Sequence, residues 1–363
     1  MNEPIREQFL VSPFLAFFIV HSMQIGIGVL GFQRYVSEYA GHDAWISVLL
    51  AGLGINIIIW MMYKMLNKDK TDIVSIHETA FGKWIGGFFS FLFMMYLLFL
   101  GVMILRTFIE VIQVWMFPLL KTWPFTLVFL IAVYYVVTGG FRTVVGVCFL
   151  GVVVPFYLIF TFLAPLEFAN FRNLLPVFDL SIKDMAKSIQ TMTLSYLGFE
   201  LLFIYYPFIK KPETSQKWFH FGNFFTTFLY LYLMIITLVF YTPDYLKKTI
   251  WPTLAMWKIF ELPFVERFEF IGIASWAVVI LPNICLTFWA ASRVSKRLFH
   301  FKQKKALIVF LVVALIIGPL LKDRTTIDYV NTLLSRVGFY FIYVYIPFLF
   351  IIYHIMSKAR KKA

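Results

Sequence analysis

Charge is scarce in this chain. Asp, Glu, Lys and Arg make up only 14% of its 363 residues, against 61% hydrophobic. A soluble globular protein averages about 25% charged and about 45–50% apolar residues, so a water-soluble globule is excluded. Polar stretches are short as well. Outside the apolar runs nothing approaches the roughly 50 residues that a separate soluble domain needs. Cysteine is almost missing: Cys148 and Cys285 both fall inside apolar runs and read as small buried hydrophobes, with no short-spaced pair to hold a metal. The histidines (His21, His42, His77, His220, His300 and His354) are scattered, and no two form a helical metal motif. Neither a metal nor any other cofactor is expected. A small-residue cleavage site is absent from the run Phe9 to Leu30. The run is also too long for a signal-peptide core, so it reads as a retained first span.

What the chain has in abundance is membrane-length apolar sequence. Ten candidate spans follow one another, roughly at 9–32, 44–65, 85–117, 123–140, 143–165, 186–208, 217–241, 268–292, 306–321 and 333–356. The third is long enough to begin as an interfacial helix, and the ninth, ending at Gly318 and Pro319, is the weakest. With ten spans both termini share one side with the second, fourth, sixth and eighth loops. That side holds Lys64, Lys68, Lys70, Lys83, Lys302, Lys304, Lys305, Lys358, Arg360, Lys361 and Lys362 among its cations, against Glu3, Glu7, Asp69, Asp72, Glu78 and Glu213. Acidic and basic residues balance on the other side, so the formal net charge of +13 falls on one face. Lysine and arginine stay cytoplasmic, which puts both termini inside. The excess is a topology signal and calls for no nucleic-acid partner; the surroundings are membrane lipid. The long outer loops 166–185 and 242–267 carry Tyr241, Tyr245, Trp251 and Trp257, residues suited to the interfacial belt.

Two spans are broken by polar and glycine residues. The first carries Gln24, Ile25, Gly26, Ile27 and Gly28; the sixth carries Ser195, Tyr196, Leu197, Gly198, Phe199 and Glu200. A lipid-facing helix would not hold Glu200 at that depth at tolerable cost. The first span starts inside and the sixth outside, so two sets of five spans would be related by inversion. The paired breaks point to an inverted-repeat transporter fold with its ligand site between broken helices. We therefore expect an all-α integral membrane protein, one polytopic domain over 1–363, with a first repeat at about 9–165 and a second at about 186–356.

This architecture resembles the amino acid–polyamine–organocation (APC) transporter superfamily, the LeuT-like 5+5 inverted repeat. Within it the chain resembles the B subunit of bacterial spore germinant receptors, the spore germination permease family. The resemblance rests on the Gln24 to Gly28 break, on Leu105, Arg106, Phe108 and Glu110 late in the third span, on Ser195 to Glu200, and on Tyr206, Pro207, Phe208, Ile209 and Lys210 at the inner exit of the sixth. It implies a receptor subunit of the spore inner membrane that binds a small germinant such as an amino acid. It further implies two partners, an A subunit with a large soluble part and a lipoprotein C subunit. An amino acid permease of the same superfamily is the alternative. Span five, Thr143 to Pro165, lacks the lysine that some proton-coupled relatives place there, which favours a sensor over a pump. No His–Asp or paired-carboxylate arrangement stands out at midplane depth, so an enzyme is not expected.

Candidate ligand-binding residues follow from the breaks. Opened helices at Gly26, Ile27 and Gly28 and at Gly198 expose N–H groups that attract a carboxylate and carbonyls that accept from an ammonium group. Gln24 and Ser195 flank them. Tyr96, Phe99 and Leu100 of the third span would form one wall; Tyr196, Leu197 and Phe199 would form the other. Asn283 beside Pro282, or Ser275, would contribute from the eighth span. Glu200 either caps the opened helix, meets a cationic ligand group, or is a structural carboxyl facing the bundle interior; the residues leave these open. Arg106 and Glu110, four apart on one helical face, are expected to form a structural ion pair.

Overall fold

A computed structural model describes residues 5–263 and 265–362. Glu3 and the side chains of Asp69, Arg360, Lys361 and Lys362, all assigned above to the inner face, lie outside the described residues. Long apolar sequence can satisfy its backbone in a bilayer only by forming helices or closed barrels, and among the described residues regular structure is helical throughout. Seven helical stretches among the described residues are long and apolar enough to cross a membrane; shorter apolar helices at Leu15–Gln24, Thr122–Thr138 and Phe199–Phe208 complete ten crossings.

The first span is α1 (Leu15–Gln24) and α2 (Phe32–Ala40), with a 3-10 turn at Ile27–Leu30 between them. Next come α3 (Ala44–Asp69), α4 (Ile73–Trp115), α5 (Thr122–Thr138), α6 (Phe141–Val153) and α7 (Leu158–Thr161). The sixth span is α8 (Ile182–Tyr196), a break, and α9 (Leu202–Tyr205). Beyond it lie α10 (Gln216–Phe240), two short outer helices α11 (Pro243–Lys248) and α12 (Pro252–Trp257), then α13 (Phe268–Phe299), α14 (Gln303–Leu320), α15 (Arg324–Tyr340) and α16 (Ile346–Lys362). A single π turn, Phe341–Tyr345, joins the last two helices.

The two broken spans run antiparallel. The start of the first meets the end of the sixth, where Val11 N–H donates to the Phe208 carbonyl and Lys210 N–H donates to Val11, both at 2.9 Å. At the other end α2 packs on α8. Around this pair, α4 and α13 lie against each other for much of their length, and α10 fills the space between α1 and α3.

Two boundaries differ from the sequence expectation. The first span continues to Ala40, so Arg34 and Glu38 sit on α2 rather than in a loop. The tenth begins at Arg324, well before residue 333, because Asp323 caps it by accepting from Thr326 N–H at 2.8 Å. In α4 the helix is interrupted at Gly82 (φ 79°, ψ 174°), a left-handed backbone that glycine adopts without a side-chain penalty. The outer-loop aromatics also differ. Tyr241, Trp251 and Trp257 are buried, and only Tyr245 is exposed. The Trp257 indole packs over Gly272 and donates to Thr161 Oγ1 at 3.0 Å, so α12 is held down by packing instead of floating at the interface.

Candidate ligand site between the broken helices

At the first break the helix ends at Gln24. Ile25 (φ −94°, ψ 88°) and Gly26 (φ −125°, ψ −146°) leave helical geometry before the turn at Ile27–Leu30. Space is what requires glycine here: a Cβ on Gly26 would lie 3.0 Å from Asn283 Nδ2, and one on Gly28 3.3 Å from Ser195 Oγ. In the sixth span, Leu197 (ψ 148°) and Gly198 (φ 110°, ψ −16°) break the helix before the turn Phe199–Leu201. A side chain at Gly198 would meet both left-handed strain and Met23, whose Cε would be 2.5 Å away.

Carbonyls released at these breaks are taken by neighbouring spans. The Tyr230 hydroxyl of α10 sits between two of them, 2.7 Å from Gln24 O and 2.9 Å from Ser195 O, with one proton to share. Asn283 Nδ2 donates to Met23 O at 3.2 Å, and Trp276 Nε1 donates to Gly26 O at 3.3 Å. Gln24 itself donates to Asn223 Oδ1 at 2.7 Å, and Asn223 donates onward to Gly52 O at 3.0 Å. The fully buried Glu200 accepts twice: from Gly198 N–H at 2.8 Å and from the Tyr96 hydroxyl at 2.7 Å. Its carboxyl therefore occupies the N–H end of the second break, where a ligand carboxylate was expected. Two acceptor atoms stay open. Gln24 Oε1 and Asn283 Oδ1 are buried with no donor among the described residues.

Most of the expected residues converge on this region. Gln24, Gly26, Ser195, Tyr196, Leu197, Gly198, Phe199, Glu200 and Asn283 are buried at or beside the two breaks, with Ile27, Gly28 and Tyr96 partly buried, and Leu100 is buried on α4. Within that group two side chains turn outward from the breaks. Tyr196 sends its hydroxyl to Thr227 Oγ1 at 3.1 Å, towards spans two and seven, and Leu197 presses on Gly338 of α15. Phe99 does not join them. It is 41% exposed, in line with Trp84, Ile85, Phe88 and Leu92 on the outward stripe of α4, because its phase on the helix turns it to lipid. Ser275 is bound instead to the Tyr157 hydroxyl at 2.7 Å.

The expected Arg106–Glu110 pair is also replaced. Glu110 is held by Arg324, whose Nη1 lies 3.0 and 2.9 Å from its two oxygens. Arg106 instead donates to the Leu321 carbonyl at 2.7 Å and, more weakly, to Lys322 O at 3.4 Å. A helix entering from a distant part of the sequence brings the better-placed cation. Tyr230 and Asn223, central to the site, were missed. A signal for them exists: Asn223, Thr226, Thr227 and Tyr230 fall at 3, 4 and 7 residue spacing, a polar stripe in an apolar helix.

The breaks are packed shut. A cavity of ≈ 330 Å³ lies elsewhere, on the outer side, where Glu38, His42, Asp43, Asp179 and Lys247 face it. Beside the first break lies a small cavity of ≈ 50 Å³, lined by His21, Ser22, Ile25, Val29 and Trp276 among others.

Ten spans, two of them broken and antiparallel, with each break closed by side chains from neighbouring spans, define a multi-pass membrane protein of the LeuT-like, APC-type transporter fold. Solved structures bear this out. A nucleobase-cation-symport-1 family transporter, in a closed conformation with bromovinylhydantoin bound, superposes with a TM-score of 0.63 at 10% identity, covering 94% of this chain and 80% of that one. MhsT in complex with L-phenylalanine gives 0.61 at 15% identity, covering 95% and 88%. Residues 10–327 match the spore germination protein family, and the chain belongs to it. The spore germination protein GerQB of Bacillus cereus is 45% identical over 98% of both chains, and YndE of Bacillus subtilis (strain 168) is 26% identical over 95% of both. This chain is thus a spore germination protein, a B-type germinant receptor subunit built on a transporter fold.

Proposed function

We propose that the subunit binds an amino acid germinant between its broken helices and relays its presence without chemical conversion. The observation that carries this is the pair of buried, unpartnered acceptors, Gln24 Oε1 and Asn283 Oδ1. A buried acceptor without a donor costs roughly 1–3 kcal/mol, and a ligand group that donates to either atom would remove that penalty there. On this reading Gly26, Ile27, Gly28, Ser195 and Gly198 let the ligand approach the backbone. Leu100 and Phe199 shape its surroundings, Tyr96 and Glu200 hold the second break, and Tyr196 and Leu197, turned outward, brace it against spans two, seven and ten. One membrane domain carries the site, with repeats at about 9–165 and 186–356. Its place is the spore inner membrane with both termini cytoplasmic, and its partners are a receptor A subunit and a C-subunit lipoprotein.

The test uses spores in which this chain belongs to the sole germinant receptor. Removing it is expected to abolish the response to a panel of amino acids. Gln24→Leu and Asn283→Ala are expected to raise the germinant concentration for half-maximal response about tenfold, equivalent to ~1.4 kcal/mol, at unchanged protein abundance. A normal response without the chain, or unchanged concentration requirements in both variants, overturns the reading.

A further inference from the structure

We propose that the groove between α5 and α14 is a binding site for an anionic phospholipid, its acyl chain in the groove and its headgroup on Lys304. Leu127, Ile131 and Tyr134 of α5 and Ile308, Val312 and Leu315 of α14 line a cavity of ≈ 180 Å³ on the membrane face of the bundle, and it presents apolar surface only. The two helices run in opposite directions, so Tyr134 and Ile308 mark its inner end. Lys304, Ile308 and Val312 are spaced by four, which puts them on one line of α14. The Lys304 ammonium lies 5.7 Å from the centre of the Tyr134 ring, across the gap between the helices. One cation therefore closes the groove at the depth where headgroups begin.

The surroundings strengthen its field. Residues 293–305 contain Arg293, Lys296, Arg297, Lys302, Lys304 and Lys305 without one Asp or Glu, and 134–142 contain Arg142 and no acid. Arg297 is engaged with Asp72 at 2.9 Å, whereas among the described residues no carboxylate lies within ion-pair distance of Lys302, Lys304 or Lys305. Phe299 and Phe301, exposed on either side of the turn at His300, add apolar anchors beside the cations. Topology alone would be served by lysines anywhere in this loop; it does not require one on the groove's own helical line. Cytoplasmic clusters of four to eight Lys or Arg next to a span attract anionic lipid, and the groove adds a seat for one chain. A partner protein would need about 1,000 Å² of complementary surface, more than so narrow a groove supplies.

The experiment takes the full chain in nanodiscs of equimolar palmitoyl-oleoyl phosphatidylglycerol and phosphatidylcholine, with retained lipids counted by native mass spectrometry. One phosphatidylglycerol is expected to stay bound in preference to phosphatidylcholine. Lys304→Gln should weaken that preference about fivefold, equivalent to ~1 kcal/mol, and Lys304→Arg should keep it. Val312→Trp, at a half-exposed groove position, should fill the seat and lower retention by a similar factor; monodispersity and thermal midpoint in pure phosphatidylcholine report whether the variants are folded. Equal retention of both lipids, an unchanged preference in Lys304→Gln, or full retention in Val312→Trp overturns the proposal. So does a photo-crosslinker at position 312 that attaches to a polypeptide instead of a lipid in native membranes. None of these outcomes depends on the germinant site.

Discussion

The two oxygens of Glu200 each take a donor, Gly198 N–H on one side and the Tyr96 hydroxyl on the other. That arrangement predicts how substitutions sort. In Glu200→Gln the amide oxygen can still accept from Gly198, and its NH2 can donate to the Tyr96 oxygen once that hydroxyl turns. Glu200→Ala strands both donors. We expect Glu200→Ala to lose roughly 1–3 kcal/mol and Glu200→Gln less than half as much, read as thermal midpoints of purified protein in nanodiscs. Equal losses would mean that the negative charge itself is required. Gly198 is subject to two separate constraints. Its φ of 110° is strained for any residue with a side chain, at a cost of roughly 1–3 kcal/mol, and Met23 fills the space a Cβ would take. Gly198→Ala is therefore expected to lower stability. Adding Met23→Ala removes the Cε and Cγ contacts but leaves Met23 Cβ, 2.9 Å from the new Cβ, so a double-mutant cycle should recover only part of the loss, the backbone part and the Cβ contact remaining. Full recovery would locate the whole constraint in Met23.

Four elements meet at Arg324, the first residue of α15. Its guanidinium holds Glu110 of α4, reaches Asp328 one turn on (Nη2 to Oδ1, 2.7 Å), donates to the Tyr35 hydroxyl of α2 at 3.1 Å, and lies 5.0 Å from the Trp251 ring that leads into α12. An exposed ion pair contributes up to about 1 kcal/mol, and breaking a buried one costs about 3–5. With Glu110 nearly buried and Arg324 about a quarter exposed, Arg324→Ala is expected to lose about 2 kcal/mol, an intermediate value. Glu110→Gln, whose amide still accepts, should lose less. The check is the thermal midpoint at low and high salt; a salt-independent loss of equal size in both variants would count against an electrostatic junction. None of this network was legible in the sequence. Periodicity and apolar length place spans, and Gly26, Gly28 and Gly198 stand out because glycine beside Gln24 or Glu200 is conspicuous in apolar surroundings. A charged residue at a span edge, by contrast, reads as loop until its partner is known. That is why Arg324, Asp328, Arg34 and Glu38 were assigned outside the helices that carry them, and why Arg106 was paired with its neighbour in sequence. Helical phase misled in the same way. Phe99 lies one residue before Leu100, yet about 100° of rotation, at 3.6 residues per turn, separates lipid from interior.

At the scale of the whole molecule, the inner side of the central site is closed, and that closure tests how the halves are joined. Val11 exchanges two backbone bonds with the end of the sixth span, Arg142 donates to the Gln8 carbonyl at 3.2 Å, Tyr206 is bonded to Asn67, and Lys210 pairs with Glu7 at 2.7 Å. The bond donated by Lys210, and then its charge, hold the Glu7 carboxyl below its ordinary range. A carboxyl with a lowered folded-state value stabilises above its unfolded value and loses that contribution as pH falls through the lowered one. Deuterium exchange at the Lys210 amide, corrected for its intrinsic rate, should thus quicken as pH drops below the ordinary carboxyl range, about 4. Glu7→Gln should show faster exchange already at neutral pH and no further acid step. Both charges are exposed, so this change is small. The backbone bonds matter more, and Val11→Pro removes one of them outright by deleting the N–H. We expect Val11→Pro to deprotect residues 206–211 far more than Glu7→Gln does while leaving protection in α4 and α13 intact. If α4 and α13 lose protection together with 206–211, the inner contact is part of the cooperative core. If they do not, it is a separable closure through which the sixth span can move.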